Sequence, residues 1–171
     1  MFEAFCGAWH PPSILLLNDL RIITMTFSSL VTKADVEQAC KGLGIRDWGA
    51  VKDLTVSDDE AHQILKEVRG EAYDVSLADF REGLQIELEH GTRFPDANVT
   101  SNHPVLTGKI VLAHLKESLL YYKRLVVVEL EGDLLKATKA HDGAKICSIV
   151  ERMSAARLAL IEAEASFLKG T

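Results

Sequence analysis

From Thr32 onward the apolar residues of this chain recur at intervals of three and four between helix start and stop signals, a period that only an amphipathic α-helix satisfies. Thr32-Lys33-Ala34-Asp35 places an N-cap hydroxyl before an acidic first turn. Val36, Ala39, Cys40 and Leu43 follow at helical spacing, and Gly44 supplies the left-handed stop, which predicts a helix over about 33–43. Ser57-Asp58-Asp59-Glu60 is a capping box ahead of Ala61, Ile64, Leu65 and Val68, giving a second helix that ends near Gly70. Leu77, Phe80, Leu84 and Leu88 share one side of a third, roughly 76–90, stopped at Gly91. After a loop with Pro95 and Pro104, the stretch from about Thr107 to Lys139 reads as one long helix. His141-Asp142-Gly143 breaks it, and a last helix over about 143–168 carries Ile146, Ile149, Val150, Met153 and Leu160. The only strand-like run, Leu125 to Val128, is embedded in helical spacing. The expected fold is therefore all-α, a small bundle of about five helices in one domain over 31–171.

The first thirty residues read differently. They hold three charged residues, Glu3, Asp19 and Arg21, against 41 in residues 31–171, and Pro11-Pro12 interrupts them without periodicity. They are expected to form an irregular N-terminal arm. Met25 stands just before the first helix, so residues 1–24 read either as an extension ahead of the natural start or as an apolar arm that packs on a partner.

Composition narrows the class. A chain of 171 residues can bury a sufficient core without disulfides or a structural metal. A net charge of −6 with no basic stripe argues against nucleic acid as a partner. Cys6, Cys40 and Cys147 are odd in number and form no CxxC pair, which fits a reducing cytoplasm better than a secreted disulfide framework, and Cys40 and Cys147 read as small core residues. No apolar run is long enough to span a membrane.

Chemistry enters where polar residues break the apolar stripes. On the third helix the series Leu77, Phe80, Leu84 continues to Glu87, with His90 one turn further. On the long helix Ile110, His114, Glu117, Tyr121, Leu125 and Val128 keep offsets of three and four, so three adjacent slots are polar. Glu-x-x-His on one helix and His-x-x-Glu on an antiparallel neighbour would gather two imidazoles and two carboxylates. Because bare buried carboxylates are costly, Glu87, His90, His114 and Glu117 are candidate ligands for Zn, Mn, Fe or Ni, with Tyr121, Tyr122 and Glu129 behind them. The competing reading makes the same residues a structural His–Glu hydrogen-bond network in a non-catalytic interaction module. The apolar face of the last helix would then serve as the contact for a second copy or a protein partner. No nucleophile or general base stands out beyond these residues, so the sequence assigns no reaction.

Other motifs are weaker. A ferritin-like di-metal centre requires two Glu-x-x-His motifs in the same order, whereas the second here is reversed. Thr107-Gly108-Lys109 lacks the preceding glycine of a phosphate-binding loop. His141-Asp142 sits at a helix break, and His62 on a solvated face.

Several of these segments together resemble a widespread family of small bacterial and phage proteins that form a domain of unknown function. The resemblance spans about 33–131. It runs through Leu43-Gly44-Ile45, Glu87-Leu88-Glu89-His90-Gly91, Asn98-Val99-Thr100, Thr107-Gly108-Lys109-Ile110, Ala113-His114-Leu115-Lys116-Glu117 and Tyr121-Tyr122-Lys123-Arg124-Leu125 to Glu129. The chain departs from the family in a longer stretch between Ile45 and Leu77 and at both termini. It also has Ser118-Leu119-Leu120 where a turn with acidic, aromatic or proline residues is usual. The resemblance implies a small helical domain and no established reaction.

Overall fold

The computed structural model describes residues 31–170, and the expectations for the N-terminal arm lie outside them. Among the described residues the chain is all-helical without strands. The helices are α1 (Lys33–Leu43), α2 (Asp58–Glu67), α3 (Leu77–Arg93), α4 (Pro104–Glu117), α5 (Tyr121–Lys139) and α6 (Gly143–Lys169), with a single 3₁₀ turn at Gly70–Ala72. None of them is long and apolar enough to cross a membrane.

The local signals act as read for α1 and α2. Thr32 and Asp35 exchange hydrogen bonds with each other's backbone amides, as do Ser57 and Glu60, and Gly44 closes α1 at φ 68°. Three boundaries differ from expectation. The long helix over 107–139 is two helices, because Ser118 adopts an extended conformation (φ −156°) and its hydroxyl accepts a hydrogen bond from the Leu120 amide. Leu119 and Leu120 continue the apolar spacing through the turn, which conceals the break from a periodicity argument. The start of α4 lies at Pro104, whose missing N–H costs nothing in a first turn, with His103 as N-cap. Gly91 does not stop α3, which runs on to Arg93. A Cβ at 91 would sit 2.3 Å from Asn102 Oδ1 and 2.7 Å from Asn98 Nδ2, so this glycine admits the following loop rather than ending the helix.

Two apolar clusters hold the chain together. The larger joins α1 to the start of α5 and includes Val36, Trp48, Ile64, Phe80, Leu84, Leu88, Val111, Leu115 and Tyr122. The smaller, Leu130, Ala137, Ile149 and Met153, lies between α5 and α6. Cys40 belongs to the first cluster as expected, whereas Cys147 is exposed: the helical phase of α6 turns it away from the α5-facing Ile146 and Ile149.

At the edge of the larger cluster, Glu60 does more than cap α2. Its Oε1 accepts from Arg46 Nε at 2.8 Å and Trp48 Nε1 at 3.2 Å, while Oε2 accepts from the Ser57 amide at 3.0 Å. The Arg46 guanidinium also donates to the carbonyls of Asp53 and Thr55. Burial alone would raise the Glu60 carboxyl pKa; the bonds from Ser57, Trp48 and Arg46 outweigh it and hold the carboxyl below its ordinary value. A depressed carboxyl contributes stability that is complete above the unfolded-state pKa and lost as pH falls through the folded one.

Three measurements test this packing. Arg46→Met leaves the Glu60 charge without its cation and should cost about 2–4 kcal/mol at pH 7, with a smaller cost once Glu60 is protonated at low pH. Gly83→Ala should lower the melting temperature, at a cost of about 1–3 kcal/mol, because its Cβ would lie 2.5 Å from Tyr122 Cε2 and 2.6 Å from Val111 Cγ1. Gly132→Ala should do the opposite, gaining about 0.5–1 kcal/mol in a helix interior, since nothing lies within 4 Å of the new methyl. Denaturant unfolding checks all three, and equal effects at the two glycines would contradict the packing account.

Candidate polar seam on α3, α4 and α5

One edge of the apolar stripe of α3 is set by a glycine. Gly83 is buried against the Tyr122 ring, and Glu87 follows one helical turn later on the same side. The tyrosine that packs over Gly83 therefore reaches Glu87 with its hydroxyl, donating to Oε1 at 3.0 Å. Burial first, and then the negative charge of Glu87, push the Tyr122 phenol well above its usual range, so it stays protonated and remains a donor.

His114, near the C-terminal end of α4, faces the same carboxylate oxygen with Nε2 at 3.8 Å. Its ring stacks on Tyr121 at 4.1 Å with an interplanar angle of 7°, and Tyr122 meets it edge-on at 6.0 Å. The imidazole is thus positioned by aromatic packing, while its separation from Glu87 exceeds a hydrogen bond. One turn beyond Glu87, His90 Nε2 lies 2.9 Å from Glu129 Oε1 on α5.

Six of the seven sequence-predicted residues therefore line one seam, in one group of four and one of two. Glu87 joins His114 and Tyr122, with Tyr121 stacked behind, and His90 joins Glu129. Glu117 stands elsewhere. It is exposed at the end of α4 and borders an apolar groove of about 710 Å³ with Leu119, Arg124 and Phe167. The reason is helical phase: the inward positions of α4 are Thr107, Gly108, Val111, Leu112 and Leu115, leaving His114 at the edge and Glu117 outside. The polar residues consequently flank the core rather than occupy it. Glu87 is 18% exposed, and His90 and His114 about a third. Among the described residues, no group of three or more His, Cys, Asp or Glu side chains is arranged to hold a metal ion.

A cavity of about 260 Å³ opens beside the seam, walled by Glu87, His90, Phe94, Asn98, Thr107 and Ile110. Asn98 shapes it, donating to the Gly91 carbonyl at 2.9 Å and to Asn102 Oδ1 at 2.8 Å, and accepting from the Thr100 amide and hydroxyl. The tripeptide at 98–100 thus makes a turn that closes on α3.

The charge pattern around the seam differs from that of its neighbours. Glu60 pairs with Arg46, Asp58 with Arg81, and Asp79 and Glu82 both with Lys123. Glu87 and Glu129 have histidines in the corresponding places. Sequence reasoning found Glu87, His90 and His114 through broken periodicity, whereas Glu129 stands in neither series. It missed the Arg46–Trp48–Glu60 cluster, whose one visible signal, a capping-box glutamate, has a complete local explanation.

No curated protein and no solved structure matches the chain. A family model described as a protein of unknown function (DUF5661) matches residues 36–131, more than half of the sequence, and contains the whole polar seam. The chain belongs to this family.

Proposed function

We propose that the seam binds a single divalent transition-metal ion, with Glu87 and His114 as the protein donors and the His90–Glu129 pair beside them. The observation that carries this reading is the 3.8 Å gap between Glu87 Oε1 and His114 Nε2. Two donors on one ion, each at about 2.0–2.2 Å, stand about 3.3–3.6 Å apart at a tetrahedral angle, a few tenths of an ångström inside this gap, whereas a hydrogen-bonded pair closes to about 3 Å. Electrostatics supports it. With neutral imidazoles the seam carries two carboxylate charges matched by no lysine or arginine among its ion pairs, and a divalent cation balances them. Mixed nitrogen and oxygen donors suit Zn, Mn, Fe or Ni. With two protein donors, water completes the shell, so the site is open and exchangeable rather than a closed structural one. Tyr122 donates to the same Glu87 Oε1 and so fixes its position, and Tyr121 fixes the imidazole plane.

One observation favours a second reading, a structural network in a non-catalytic interaction module. The Tyr122–Glu87 and His90–Glu129 contacts, at 3.0 and 2.9 Å, are complete hydrogen bonds without any ion.

Elemental analysis of protein purified without chelator, followed by calorimetric titration with Zn, Mn, Fe and Ni, separates the two. The metal reading expects close to one ion per chain. Glu87→Ala and His114→Ala should each abolish binding, while Glu117→Ala keeps it. Absence of metal, with no rise in melting temperature on adding any of the four ions, overturns the proposal in favour of the network. In that case replacing Glu87, His90, His114 and Glu129 together by apolar residues of similar volume should leave the fold as stable or more so, since the desolvation cost disappears.

A further inference from the structure

A long helix that packs on one neighbour ordinarily shows one apolar face, and α6 shows two. The first, through Ile146, Ile149, Met153, Ala156, Leu160, Ala163 and Phe167, keeps offsets of three and four without interruption. Its Ile149 and Met153 are buried against α5. The second runs through Cys147, Val150, Ser154, Leu158, Ile161, Ala165 and Leu168, about 120° around the helix from the first. It contains no charged residue, and every member is exposed. The one polar side chain in it is already satisfied, the Ser154 hydroxyl donating to the Val150 carbonyl at 2.8 Å, so it can enter an apolar contact without loss. The neighbouring Arg157 and Glu164 are drawn toward α5 by pairs with Glu131 and Arg124.

We propose that this second face binds a second copy of the chain, α6 against α6 in antiparallel orientation, with the two-fold axis passing between residues 157 and 158. The stripe is self-complementary in that arrangement. Cys147 falls opposite the second copy's Leu168, Val150 opposite its Ala165 and Ser154 opposite its Ile161, so each small side chain meets a large one. A parallel arrangement would instead stack like on like. The area is sufficient. Val150, Leu158, Ile161 and Leu168 leave 41%, 58%, 61% and 83% of their surface exposed. With the small residues between them they form an apolar strip on the order of 500 Å², at the upper end of what a monomer shows. Two strips remove on the order of 1,000 Å², the size at which a symmetric contact becomes specific. The α5–α6 pairs of the two copies then form a four-helix arrangement, in which α6 occupies the centre and both of its faces are covered.

Light scattering of the full chain after gel filtration should give twice the mass of the 18.8 kDa chain. Leu158→Glu combined with Ile161→Glu should give the single-chain mass with unchanged helical circular dichroism, because both positions are exposed in the single chain. In a Cys6→Ser, Cys147→Ser background, Leu158→Cys should oxidise to a covalent dimer. With Cys147 retained and Leu158 native, oxidation should yield no Cys147–Cys147 product. A monomer at every concentration, or a dimer indifferent to the double glutamate variant, overturns the proposal. Efficient Cys147 self-coupling overturns the antiparallel arrangement and assigns a parallel one.

Discussion

The close approach of α3 to the first turn of α5 is the constraint on which the seam depends. It exists because residue 83 has no side chain: Tyr122 and Val111 fill the place a Cβ would take. A tyrosine lying across that gap can reach one turn along α3 and no further, and Glu87 is there to accept its hydroxyl. The same tyrosine meets His114 edge-on, while Tyr121, its neighbour in sequence, stacks on the other ring face. A single missing methyl group therefore sets the separation of three helices and the position of a carboxylate, a phenol and an imidazole. Gly91 repeats the device two turns later for the loop carrying Asn98 and Asn102, which closes the cavity beside His90.

What was legible in the sequence was what local chemistry decides. The caps of α1 and α2, the phase of α3 and the start and end of α6 follow from side chains that act within one turn. The turn between α4 and α5 was hidden, because Ser118 breaks the backbone while Leu119 and Leu120 preserve the apolar rhythm that a periodicity argument follows. That error propagated to the site. A straight helix puts Glu117 and Tyr121 on one face, whereas the extended residue at 118 gives Tyr121 the separate phase of α5, and Glu117 keeps the exposed position that the phase of α4 assigns it. Glu87, His90 and His114 were legible because a polar residue in an apolar series is informative whatever helix it sits on. Their division into two groups was not, since it depends on the register between α3 and α5.

The electrostatic economy of the molecule separates structural from available charge. Three carboxylates that support the packing are each given a cation: Arg46 for Glu60, Lys123 for Asp79 and Glu82. Lys123 sits a single residue from Tyr122, yet it points to the N-terminal part of α3 and leaves Glu87 to the phenol and the imidazole. Burial alone would lower the Lys123 ammonium pKa, and the two carboxylates outweigh that and raise it, which commits the positive charge to the α3–α5 contact. The carboxylates of the seam are thus partnered by imidazoles and a phenol, with no lysine or arginine among their ion pairs.

The family match ends at Glu131, inside α5, so it takes in the buried residues of the larger apolar cluster and leaves Ala137, Ile149 and Met153 of the smaller one outside. The first half of α5 carries Tyr121, Tyr122 and Glu129 and belongs to the seam; the second half carries Leu134 and Ala137 and serves α6. One continuous helix therefore joins the polar seam to the hairpin that bears the uncharged face of α6. Because α5 is unbroken from Tyr121 to Lys139, Glu129 and Ala137 stand on one rod, about two turns apart. The His90–Glu129 contact therefore ties α3 to the middle of the same helix whose far half packs on α6.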